Sequence, residues 1–197
     1  NSNVISNESS SDHEKERKLA LILPAFEFNL SPYWERAYEV NSTDKLPLSK
    51  QAVSDSYRNS TTRGFHMHRC KHCHNMTDFD LWIEPDTKLP YKVQYKSHFE
   101  PYILTKRVGL YRYDARYRGY GYNKIMHLRT LHLLDRYEWM VAPDAFLFHI
   151  PHEESTERTE FKHNMRKRTR DKWLTGLYLV SMKDLRAKID SVGYVIK

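Results

Sequence analysis

Cysteine is scarce: Cys70 and Cys73 are the only two in 197 residues. That excludes the disulfide framework on which small secreted folds rely. Long apolar runs are missing too. No stretch reaches the roughly 18–20 residues that cross a bilayer as a helix, and no signal-peptide pattern is present. Membrane attachment is therefore expected only through a segment outside this chain. Nucleic-acid signatures are also lacking. The net charge is +7, but the one dense basic run, Arg166-Lys167-Arg168-Thr169-Arg170-Asp171-Lys172, has acidic neighbours. No helix-turn-helix, RNA-recognition or zinc-finger pattern surrounds it. It reads as a solvated helix face, and no nucleic-acid partner is expected.

What remains is a folded, aromatic-rich chain, 40% hydrophobic and 13% aromatic, with 14 tyrosines. That is enough for one domain with a real core. Flat rings serve core packing, and they also cover the apolar faces of sugars. Asn-x-Ser/Thr sequons at Asn7, Asn41, Asn59 and Asn75 lend mild support to a lumenal location.

Residues 1–17 are polar and read as a flexible segment, residues 18–190 as the domain, and 191–197 as a tail. Leu19-Ala20-Leu21-Ile22-Leu23-Pro24-Ala25-Phe26 is an apolar run without alternation. It predicts a buried strand in a sheet covered on both faces. Helices are expected over Tyr33–Val40, from Leu48, and at Asp78–Trp82, with an exposed polar loop over 54–64. Tyr91–Tyr95, Tyr102–Thr105, Trp139–Val141 and Ala145–Ile150 read as strands. Between Asn123 and Asp135, Ile125, Leu128, Leu131 and Leu134 fall at helical spacing, so one helix face is core. Residues 156–190 are mostly helical. No repeat is present, and the alternation of strands and helices gives an α/β layered domain.

Two constellations offer chemistry. The first is His66-Met67-His68-Arg69-Cys70-Lys71-His72-Cys73-His74. Cys-x-x-Cys is a zinc half-site, but the second half is missing. A redox pair, a local disulfide and an incidental cluster stay open. The second constellation runs from His98 to His152. Pro101 holds Glu100 extended at a segment end. Gly119 and Gly121 permit unusual dihedrals and close backbone approach. The helix beginning at Asn123 exposes backbone N–H groups suited to anionic or hydroxyl-rich ligands. His149 and His152 follow an apolar strand, at an edge where α/β folds place their sites.

These pieces occur in a characteristic order. They are Leu23-Pro24-Ala25-Phe26-Glu27, His74-Asn75-Met76-Thr77-Asp78-Phe79-Asp80-Leu81-Trp82, Pro90-Tyr91-Lys92-Val93 and Phe99-Glu100-Pro101-Tyr102. Tyr113-Asp114-Ala115-Arg116-Tyr117-Arg118-Gly119-Tyr120-Gly121-Tyr122-Asn123-Lys124 and the run from Pro143-Asp144-Ala145-Phe146 to His149-Ile150-Pro151-His152 follow. In this order the stretch from about 19 to 175 resembles the LARGE-like family 49 glycosyltransferases, with Cys73 where the family carries glycine.

The resemblance implies a partial GT-A-like nucleotide-sugar transferase fold, with a mixed sheet and flanking helices. It implies a nucleotide-sugar donor, expected to be a UDP-sugar, a glycan or glycoprotein acceptor, and Mn²⁺ as cofactor. Glu100, then Asp144, is implied as the catalytic base. Gly119, Gly121, Tyr122, Asn123 and Lys124 are implied in substrate binding, and His149 or His152 as a metal ligand. It places most of the Cys/His cluster in a variable loop. The family's Asp-x-Asp lies upstream of the Pro-Ala-Phe strand, and Asp78-Phe79-Asp80 has its letters but not its place. The chain is therefore expected to be the C-terminal part of such a domain, inactive by itself. The full protein is expected in the Golgi or secretory lumen as a type II membrane protein. The alternative is a non-catalytic carbohydrate-binding or scaffold domain derived from such an enzyme.

Overall fold

A computed structural model describes residues 18–29, 46–118, 121–150, 156, 159, 163 and 169–192. The expected helix over Tyr33–Val40, Gly119 and His152 lie outside them, as do Arg166, Lys167 and Arg168 of the basic run. The architecture is mixed α/β: two mixed sheets with flanking helices.

The apolar run is one passage of chain that serves both sheets. Strand β1 (Leu19–Leu23) and strand β2 (Ala25–Phe28) are separated by the buried Pro24. Proline has no N–H to give a ladder, so the pairing changes sheets there. Strands β6 (Glu138–Val141) and β7 (Leu147–His149) follow the same course alongside, with β1 parallel to β6 and β2 parallel to β7. The Pro24 carbonyl accepts the Leu147 N–H at 2.8 Å, which keeps the two passages together through the change.

The first sheet has the order β4-β6-β1-β5, where β4 is Tyr91–Val93 and β5 is Tyr102–Leu104, both antiparallel to their neighbours. Opposed residues share a face. Ala20, Ile22, Trp139 and Val141 line the core face and are buried. Leu19, Leu21, Leu23, Met140 and Leu104 share the other face. There Leu19 is 46% and Leu104 61% exposed. The expected cover is thus complete on one face and partial on the other, where Leu21, Leu23 and Met140 are half-buried.

The second sheet has the order β3-β2-β7, with β3 at Thr62–Gly64. Helix α1 (Lys50–Arg58) precedes it, with Ser49 as its cap: the Ser49 hydroxyl accepts the Ala52 N–H. The expected exposed loop over 54–64 is corrected here. Ser54 and Thr62 are buried, and the Ser56 and Thr62 hydroxyls bond at 3.1 Å. Hydroxyls that find partners inside do not need water, so polar composition misled.

The short helices α2 (Lys71–His74) and α3 (Phe79–Trp82) flank a 3₁₀ turn, Asn75–Thr77. The cap of α3 is Asp78: its carboxylate accepts the Leu81 N–H. Helix α4 (Asn123–Asp135) has the predicted span. It buries Ile125, Leu128, Leu131 and Leu134, and also Met126 and His127. His127 stacks on the Tyr113 ring at 3.9 Å, and Met126 is covered by helix α5 (Thr169–Ser191), which closes a separate cluster of Tyr117, Met126, Leu134, Leu185 and Ile189. Arg116 ties the preceding loop to α5, bonded to Asp114 at 2.7 Å and Asp184 at 2.8 Å. No helix among the described residues is long and apolar enough to cross a membrane.

Candidate functional site

The site forms on the solvent face of the second sheet. Its core face carries Phe26 and, opposite it, Gly64, where an added Cβ would stand 2.6 Å from the Phe79 ring. Its other face carries Arg63, Glu27 and His149 side by side, because Glu27 pairs with Arg63 on β3 and with His149 on β7. Glu27 is buried, and a buried carboxylate requires partners. It has two: Arg63 Nε donates to it at 2.8 Å, and His68 Nδ1 lies at 3.1 Å.

Phe65 extends this face. Its ring stacks on His66 at 3.9 Å and stands 4.9 Å from His149, 5.7 Å from His74 and 6.0 Å from Tyr102. On Tyr102, in turn, the Lys124 ammonium sits 3.7 Å from the ring centroid. That is a cation–π contact, worth more where water is excluded. Lys124 faces Glu100, whose N–H donates to the Cys73 carbonyl at 2.8 Å. Sequence positions 27, 63–74, 100–102, 124 and 149 thus converge.

Charge in this setting is tuned by burial. Burial raises the Glu100 carboxyl, against the pull of Lys124 and His72. Burial lowers Lys124 to about 8, against the pull of Glu100. Burial, with Lys124 adding repulsion, takes His74 down to about 4. His66 also falls to about 4, mainly through burial, with Arg69, His74 and His149 lowering it further against Glu27. Both imidazoles are therefore neutral in the folded protein at pH 6, while an unfolded histidine titrates near 6.5. The unfolded state takes up more protons between those values, so stability falls as the pH drops from 6.5 toward 4. Glu100, with its raised carboxyl, acts in the opposite sense. Thermal melting at pH 7, 5.5 and 4.5 should show a falling midpoint, and His74→Gln should flatten the fall. An unchanged slope in that variant would contradict the assignment.

The turn into α4 positions Lys124. Gly121 has φ +115° and Tyr122 +52°, both left-handed, so the glycine is needed there. Asn123 opens the helix, and its side-chain oxygen accepts the Lys124 N–H at 2.7 Å. The Tyr122 ring stacks on Tyr178 of α5 at 5.0 Å, so it belongs with the second cluster. Asp144 is exposed in the β6–β7 turn, and its charge bears on Lys50 at the start of α1. The two base candidates thus have different surroundings.

Cys70 and Cys73 are joined as a disulfide. Their sulfurs and a His72 nitrogen lie within 4.8 Å of one another, but bonded sulfurs offer zinc no thiolate. Among the described residues this is the only converging group of three His, Cys, Asp or Glu ligands. The described residues thus do not form a divalent-metal site around His149 by themselves.

Sequence reasoning missed Phe65, and it quoted Glu27, His66, His68 and His74 without placing them at this site. One signal was available: a charge, Glu27, directly behind the apolar Leu-Pro-Ala-Phe, where burial demands pairing.

The family profile described as "Glycosyl-transferase for dystroglycan" matches residues 2–179. The chain is similar to the xylosyl- and glucuronyltransferase LARGE1 of Danio rerio, at 34% identity over 147 residues, 75% of this chain and 17% of the relative. It is similar to the mouse (Mus musculus) xylosyl- and glucuronyltransferase LARGE2, at 32% over 149 residues, 76% of this chain and 19% of the relative. The glycosyltransferase-like protein gnt13 of Dictyostelium discoideum is 30% identical over 139 residues, 71% of this chain and 20% of that protein. The chain thus spans a fifth or less of the length of these relatives. With nine-tenths of its length under the family profile, and the quoted motifs meeting at one site, the chain belongs to the family of glycosyl-transferases for dystroglycan.

Proposed function

We propose that this chain supplies the acceptor side of a site that moves a sugar from a nucleotide-sugar, a UDP-sugar, to a glycan acceptor. The observation that carries this is the half-buried Lys124 held over Tyr102 and facing Glu100. Tyr102, which is exposed and backed by the buried Phe65, presents a ring for the apolar face of a sugar. Lys124 neutralises an anionic group on donor or acceptor, a phosphate or a uronic carboxylate. The relatives named xylosyl- and glucuronyltransferases make a uronic acid a fitting choice. Glu100 takes the proton of the acceptor hydroxyl as its oxygen bonds to the sugar's anomeric carbon and the nucleotide leaves with the bonding electrons.

His149 or His152 would provide one ligand to Mn²⁺. Bound there, the ion would supply Lewis-acid stabilisation of the leaving diphosphate. The Cys70–Cys73 disulfide fits work in the secretory lumen. The exposed Tyr102 ring also suits a second reading, a carbohydrate-binding domain without transfer chemistry.

The full gene product, incubated with UDP-sugars, Mn²⁺ and glycan acceptors, separates the two readings. Transfer with wild-type protein is expected, falling as the pH rises through about 8 as Lys124 loses its proton. Lys124→Met should reduce kcat/KM by about 10–100-fold, the worth of a hydrogen bond to a charged group. Lys124→Arg should keep activity and remove the alkaline fall. Glycan binding without turnover of any UDP-sugar would establish the second reading instead.

A further inference from the structure

We infer that Asn59 is an N-glycosylation site. The turn between α1 and β3 carries the sequon Asn59-Ser60-Thr61, and all of its residues are exposed. Asn59 ends α1, and Ser60 takes a left-handed φ of +62°. The Asn59 carboxamide oxygen then accepts two hydrogen bonds from Thr61, from its N–H at 3.1 Å and from its hydroxyl at 2.5 Å. The reactive pair of the sequon is thus already in contact: the hydroxyl polarises the amide oxygen, and the amide nitrogen points away from it.

The rest of the turn is held from one side. The Asn29 N–H donates to the Thr61 carbonyl at 2.8 Å, and the Asn29 carboxamide donates to the Ser60 carbonyl at 3.0 Å. The turn keeps its shape without the Asn59 nitrogen, so a bulky substituent there displaces no contact that the fold uses.

The compartment follows from a separate observation. A bonded Cys70–Cys73 pair forms and persists in oxidising surroundings, where oligosaccharide transfer to asparagine takes place. The co-substrate is a lipid-pyrophosphate-linked oligosaccharide. The Asn59 amide nitrogen bonds to the anomeric carbon of the first sugar. The bond from that carbon to the pyrophosphate oxygen breaks, and the lipid pyrophosphate leaves with the electron pair. The amide proton passes to a base of the oligosaccharide-transferring enzyme.

The second described sequon differs. Asn75-Met76-Thr77 opens a 3₁₀ turn directly after His74 of the site, and Thr77 is buried with its carbonyl accepting the Tyr91 hydroxyl at 2.7 Å. No bond within that sequon resembles the one at Asn59.

The test is to secrete the full gene product from eukaryotic cells and map its peptides before and after an amidase that removes N-glycans. The expected result is a glycan on the peptide containing Asn59, with aspartate at 59 after the amidase. Intact mass should drop by one glycan in Asn59→Gln and in Thr61→Ala, and stay at the wild-type value in Thr61→Ser. An unmodified Asn59 peptide, recovered from secreted protein in which Cys70 and Cys73 are bonded, overturns the inference. The wild-type peptide decides the matter even where a variant fails to fold.

Discussion

Glu100→Gln is expected to lower sugar transfer by about 10²–10⁴-fold, the usual contribution of a positioned general base. The amide fills the same volume and keeps the backbone bond from Glu100 to the Cys73 carbonyl, so donor binding should hold while kcat falls. The pH profile supplies a sharper reading. Burial raises the Glu100 carboxyl above the ordinary carboxylate value, and Lys124 loses its proton near 8. Wild-type activity should rise as Glu100 ionises and fall as Lys124 is neutralised, giving a bell. The variant should lose the acid limb and keep the alkaline one. Activity above a tenth of wild type, or an unchanged acid limb, would remove Glu100 from the role and leave Asp144 to be examined in the same way.

Trp82→Ala is expected to unfold most of the domain. The indole is fully buried, 5.1 Å from the Phe26 ring and 5.8 Å from Phe146. Its Nε1–H donates to the Ala142 carbonyl at 2.8 Å, inside the turn that carries the chain from β6 to β7. Truncation costs about 3–5 kcal/mol in packing, and the orphaned carbonyl about 1–3 more. Total stabilities of about 5–15 kcal/mol leave little after that. Trp82→Phe keeps most of the packing and loses the hydrogen bond, so it should cost less than the alanine change. Urea denaturation of the two variants measures the difference. A loss under about 2 kcal/mol in Trp82→Ala would show that the site collapses around the gap.

Much of this was written in the sequence, but unevenly. Helix α4 was legible because Ile125, Leu128, Leu131 and Leu134 repeat at its period. The burial of Met126 was not legible, since it comes from α5, more than thirty residues later. The apolar run at Leu19–Phe26 announced a strand, but periodicity does not tell which sheet a residue joins, and the split at Pro24 shows only in the pairing. At the site, Glu100, Lys124 and His149 were legible because they stand in motifs beside proline, glycine or a strand end. His66 and His74 were hidden in plain view. They sit in a stretch whose cysteines drew attention to metal binding, whereas the histidines there pack around the Phe65 ring. Contacts between positions 27, 65, 102 and 124 are made by the fold and leave no local pattern.

The shared passage through Pro24 bears on how variant libraries of this protein are to be interpreted. Ile22 and Phe26 lie at the core, and Glu27, one position on, is part of the site. A shift of even a fraction of an ångström in the first sheet is passed along the strand into the second. Screens scored by product formation will therefore return inactive variants at Ile22, Val141 and Phe26 beside those at Glu27 and Lys124. Pairing each activity score with an abundance score separates them: core variants lose both, and site variants lose product alone.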